Sequence, residues 1–122
     1  MVKHPLNKKR NILKSIQTRL NKSIEEKFYF EALFILASLI ENAIKQIVET
    51  KKKERLSFET AINKANNKKL ISDDLSKSLH NWREERNLFV HNLISKDIEE
   101  NSLENIVIDG KNILKNIEEE LK

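Results

Sequence analysis

The stretch FYFEALFILASLIENAIKQIV, residues 28–48, decides how the chain is built. Phe28, Ala32, Ile35, Leu36, Leu39, Ile40, Ala43, Ile44, Ile47 and Val48 recur every three or four residues, which puts them along one side of an α-helix. Ser23 and Glu26 have the spacing of a capping box, so this helix is expected to begin at Ser23 and to run to about Lys52. Its upper part is apolar nearly all round. A helix of that kind must be covered on most sides, which predicts a bundle with this helix at its centre. The most apolar run, FYFEALFILASLI, is too short for a membrane span and carries Glu31.

Composition points the same way. The chain has 122 residues, 39% of them hydrophobic, which suits one domain with a modest core. There is one Gly and one Pro. Sheet proteins of this size need several turn glycines, so the scarcity argues for long helices and short polar connections. No β-branched alternation suggests a strand. Cysteine is absent, which removes disulfides and thiolate metal sites. The start, MVKHPLNKKRNILKS, has no apolar core of signal-peptide length, and a soluble cytoplasmic protein is expected. A net charge of +4 permits a nucleic-acid partner without demanding one.

Five helices are expected around this centre. The first covers NKKRNILKSIQTRL, with Ile12, Leu13, Ile16 and Leu20 on its apolar face, and residues 1–22 form an N-terminal helical segment ahead of a core bundle at 23–120. Ser57 caps a short third helix, FETAINKANNKK. Ser72 caps a fourth, from about Asp73 to Asn92, whose first-turn aspartates suit the positive helix N-terminus. The fifth runs from Asn101 or Ser102 to Leu121 and contains Gly110, at a cost of roughly 1 kcal/mol relative to alanine. A close approach by another backbone is the expected reason for that glycine.

The fourth helix carries the unusual pattern. Its stripe is Leu75, Leu79, Trp82, Arg86, Phe89 and Leu93, with a guanidinium among core positions. His80, Glu84, Asn87 and His91 line up on a neighbouring face. Arg86 and His91 diverge by roughly 140° on a straight helix, so they meet at one small group only if the helix is disturbed or a second copy supplies a partner. A half-buried arginine is costly unless paired. One bland account is an ion pair with a core-facing acid such as Glu31, or snorkelling to water. His80, Glu84 and His91 span three turns and do not all reach one ion, so no metal and no other cofactor is expected.

RNLFVH, Arg86 to His91, resembles the R-x4-H motif of the HEPN superfamily, with the frequent Asn directly after the Arg. The resemblance extends through LSFETAINKANNKKLISDDLSKSLHNWREERNLFVHN, a short helix, a turn and the motif helix, and covers about residues 23 to 120. It implies an all-α, single-domain bundle over residues 1–122 that dimerises through the motif helix. It also implies a metal-independent endoribonuclease of the toxin or phage-defence type, with Arg86, Asn87 and His91 at the catalytic site. An antitoxin or other regulatory protein partner fits such a role. In one subgroup an antitoxin modifies a tyrosine two residues after the motif histidine; Leu93 stands there and the only tyrosine is Tyr29, so that silencing is not expected. A non-catalytic HEPN-like adaptor binding a protein or a nucleotide is the alternative.

The side chains themselves allow RNA cleavage without a metal. Imidazole moves protons, and an arginine fork binds phosphate and stabilises charge gained in the transition state. Asn87 is placed to orient His91 across one turn. Arg83, Lys96, Lys68 and Lys69 are weaker candidates for RNA contact, each also readable as a solvated surface charge. Trp82 could stack on a base, but its position in the stripe says core.

Overall fold

The computed structural model describes residues 5–48, 56–92 and 100–121. They form five α-helices: α1 (Pro5–Glu25), α2 (Tyr29–Val48), α3 (Phe58–Asn67), α4 (Asp73–Asn92) and α5 (Glu100–Glu120). Among the described residues there is no β-strand. No helix there is long and apolar enough to cross a membrane.

α2 is the central helix, packed against α1, α3 and α5. Tyr29, Ala32, Leu33, Leu36, Ala37, Ile40, Ile44 and Val48 are buried along it. Ile35, Leu39, Ala43 and Ile47 are half-buried and pack on the same core. α4 closes the far side against α3 and α5 and makes no direct backbone packing with α2 among the described residues. α2 and α4 therefore face each other diagonally.

The start of α2 departs from the expectation. Ser23 does not cap it; Ser23 lies inside α1, is buried, and donates to Glu31 Oε1 at 2.6 Å. The chain turns at Lys27, whose φ is +64°, with Phe28 N–H donating to the Ser23 carbonyl and Lys27 N–H to the Ile24 carbonyl. That pair of bonds is a Schellman stop, with lysine where glycine is usual. Phe28 follows the stop and is exposed, so the aromatic that enters the core is Tyr29.

A second Schellman stop ends α3. Lys69 has φ +58°, Leu70 N–H reaches the Ala65 carbonyl and Lys69 N–H the Asn66 carbonyl. Ser57 and Ser72 cap α3 and α4 as expected, accepting from Thr60 N–H and Leu75 N–H, each at 3.1 Å. Glu120 at the end of α5 adds a clasp, accepting from the backbone N–H and hydroxyl of Ser72 at 2.7 and 2.8 Å.

Gly110 has a different reason from the one expected. A methyl group there would sit 2.9 Å from the Trp82 ring and 3.1 Å from Leu36 Cδ1, so the close approach is by an indole, not a backbone. Trp82 is buried, and its Nε1–H donates to the Ile106 carbonyl at 2.9 Å. That bond satisfies the polar edge of a ring otherwise held by carbon.

Candidate active-site cleft

α3 has 10 residues and α4 has 20, and this mismatch shapes the site. The two helices run antiparallel: His80 Nε2 lies 2.9 Å from Asn63 Oδ1, and one turn on, Arg83 lies 3.8 Å from Glu59. α3 begins at Phe58, level with Arg86. Beyond that level α4 continues to Asn92, with no described helix beside it on that flank. The opening between the end of α4 and the start of α2 is a cleft of about 450 Å³. It is lined by Phe30, Leu33, Phe34 and Ala37 from α2 and by Arg86, Asn87, Phe89, Val90 and His91 from α4.

Arg86 and His91 thus line one cleft although they point in different directions from their helix. Arg86 is half-buried, and its guanidinium sits over the Phe58 ring, 5.8 Å from the centroid. Among the described residues no carboxylate is within ion-pair distance of it, and Glu31 is engaged elsewhere. Glu31 accepts from Arg19 Nε at 2.7 Å and from Ser23, clasping α1 to α2, so the ion pair considered for Arg86 is not formed. Burial pushes the Arg86 guanidinium below its ordinary value. Glu41 opposes that shift and the positive charge of Arg83 adds to it. Glu41 is itself held by Lys45 at 3.1 Å. An arginine stays charged even so, and this one lacks a full counter-charge.

Asn87 has a different partner from the one expected. Its Oδ1 accepts from Arg86 Nη2 at 3.0 Å, so it steadies the arginine fork, not the imidazole. His91 is exposed at the cleft rim. His80 lies on the α3 side with Asn63. Among the described residues no group of three His, Asp or Glu side chains converges to hold a metal.

The weaker candidates do not gather at the cleft. Arg83 faces α3, its Nη2 3.8 Å from both Glu59 and Glu84, and its buried Nε has no partner among the described residues. Lys68 and Lys69 are exposed in the turn before α4, on the order of 20 Å along that helix from Arg86. Lys96 and Leu93 lie outside the described residues.

Sequence reasoning missed the opposite wall. Phe30 and Phe34 are one helical turn apart on α2, 39% and 61% exposed, and line the cleft, Phe34 also bordering a groove toward α1 and α5. Their signal was present: they fall outside the stripe that runs from Ala32 to Val48, and two phenylalanines off-stripe are surplus to a core. Phe58 was missed as the seat of Arg86 because nothing local in the sequence links α3 to that side chain. Comparison with models of protein families, with curated proteins and with solved structures returns no match for this chain.

Proposed function

We propose that this chain is a HEPN-type endoribonuclease that cleaves RNA without a metal, acting as a homodimer through α4, in a cytoplasmic toxin or phage-defence role. The observation that carries the reading is one cleft lined by both Arg86 and His91, in which no carboxylate among the described residues lies within ion-pair distance of the arginine. A half-buried cation that Glu41 offsets only in part is matched to an anionic ligand. A phosphodiester supplies that charge, and the adjacent 2′-hydroxyl supplies the nucleophile.

In the proposed reaction an imidazole of His91 takes the 2′-hydroxyl proton, and the 2′-oxygen attacks phosphorus. The bond to the 5′-oxygen breaks, and that oxygen receives a proton from the imidazolium of the second copy or from water. The products are a 2′,3′-cyclic phosphate and a 5′-hydroxyl. Arg86, braced by Phe58 and Asn87, holds the phosphoryl oxygens as charge builds on them. Exposed Leu88 and Val90 on α4 offer apolar surface for the second copy.

The test is incubation of purified protein with RNA in EDTA, beside Arg86→Ala and His91→Ala. The wild type is expected to leave cyclic phosphate ends, and each variant to lose at least about 100-fold in rate. Equal cleavage by all three proteins, or none by the wild type, removes catalysis from these residues.

The exposed phenylalanines favour a second reading, a non-catalytic HEPN-like adaptor that docks a regulatory partner or antitoxin on the cleft. A stable stoichiometric complex with such a partner, with no cleavage of any RNA offered, supports that reading over the first.

A further inference from the structure

The walls of the cleft differ in chemistry. On the α4 side stand Arg86 and Asn87; on the α2 side stand Phe30 and Phe34, the latter 61% exposed. Two large aromatic faces open to water beside a cation with no carboxylate at ion-pair distance are a poor way to stabilise a fold. They match a ligand with a flat aromatic part and a negative part a few ångströms apart. We propose that Phe30 and Phe34 form a stacking wall for a nucleobase whose own phosphate is held by Arg86. This deepens the ribonuclease reading and rests on it for the identity of the ligand as a residue of RNA. The shared chemistry is one base with its phosphate, free or within a strand.

Charge argues for an anion inside the cleft, with a second copy of the chain meeting α4 beside it at exposed Leu88 and not filling it. A two-fold contact centred on the cleft would bring Arg86 of each copy toward the other among carbon walls, and like charges in such surroundings repel strongly. Glu41 offsets part of the Arg86 charge and is itself engaged by Lys45, as Arg83 is by Glu59 and Glu84. An anion in the cleft removes the repulsion. Base stacking is tolerant of sequence, since every base has a π-face, so the wall sets register along a strand and not base identity.

The experiment measures binding without cleavage. The full chain is titrated with inorganic phosphate, with deoxyuridine and deoxyadenosine monophosphates, and with an uncleavable 2′-deoxy trinucleotide. Wild type, Arg86→Gln and the double variant Phe30→Leu/Phe34→Leu are compared, with oligomeric state followed by sedimentation. Leucine keeps the apolar wall and removes the π-face. Wild type is expected to prefer nucleotide over phosphate, and the leucine variant to lose about 5- to 100-fold of nucleotide affinity while phosphate affinity holds. Arg86→Gln should weaken both ligands alike. Tighter binding of the trinucleotide than of the monophosphates assigns the wall to a strand; equal binding assigns it to a free nucleotide, and both sustain the stacking wall. Equal nucleotide affinity in wild type and leucine variant overturns it, as does a leucine variant that changes only the oligomeric state. Cleavage is scored separately: base binding without cleavage sinks the ribonuclease reading alone, and cleavage with unaltered base binding in the leucine variant sinks the wall alone.

Discussion

The two halves of α4 share one helix and differ in almost everything else. In the first half Leu75, Leu79 and Trp82 are buried, Ser72 caps the N-terminus, and Glu120 clasps the cap. In the second half Arg86 lines a cleft, and Leu88 and Val90 are 61% and 47% exposed. The backbone is not the cause. The first half has α3 on one side and α5 on the other, whereas α3 starts only at Phe58, so among the described residues no helix covers the last turns of α4 on that flank. Stability is concentrated where neighbours exist, which leaves the open end free to hold side chains that do not help folding.

The sharpest way to break that contrast is a pair of truncations. Trp82→Ala is expected to cost about 3–5 kcal/mol in denaturant unfolding, from lost burial and the lost indole bond to the Ile106 carbonyl. Arg86→Ala should cost no more than about 1 kcal/mol, because the variant loses a contact with Phe58 but also a desolvated charge. If the two variants are equally unstable, Arg86 is a structural residue and the halves are not distinct. Gly110→Ala belongs to the first half. The methyl group gains about 1 kcal/mol of helix propensity but meets a rigid indole at 2.9 Å, so a net loss of about 1–3 kcal/mol is expected. A Trp82→Leu background should absorb most of that loss, which a double-mutant cycle measures.

The same contrast separates what was legible in the sequence from what was not. Apolar periodicity located all five helices, and the serine caps set the starts of α3 and α4, because both signals are local. The boundary between α1 and α2 was misread, since Ser23 and Glu26 imitate a capping box while the actual stop is a lysine in the left-handed region. Arg86 stood out as a break in the apolar stripe, and His91 through its spacing from Arg86. Their surroundings did not: Phe58, Phe30 and Phe34 reach the cleft through tertiary packing, and although α3 read as shorter than α4, the pairing that sets Phe58 level with Arg86 has no local signature.

Beside the cleft, the clasp of Glu31 gives a smaller, pH-dependent effect. The Arg19 side chain, and then Ser23, hold the Glu31 carboxyl below its ordinary value of 4.5. A depressed folded value stabilises the protein above the unfolded value and is lost as pH falls through the folded one. Wild type should therefore lose stability on acidification below about pH 4.5. Glu31→Gln should be less stable at neutral pH and show a shallower decline in that window. Parallel curves for the two proteins would remove Glu31 from the joint between α1 and α2.

The smallest effect lies farthest from the cleft and sharpens the contrast most economically. Lys69 has φ +58° in the turn before α4, a conformation that glycine adopts without strain. Lys69→Gly is expected to raise stability by about 0.5–1 kcal/mol, the relief of strain outweighing the extra entropy glycine loses on folding. The same substitution removes a positive charge. Were Lys69 a phosphate contact, RNA affinity would fall and the slope of log affinity against log salt would shrink by about 1. Its place on the order of 20 Å from Arg86 predicts neither. A more stable protein with an unchanged salt slope assigns Lys69 to the turn; a reduced slope would extend the RNA path along the whole of α4 and dissolve the division between its halves.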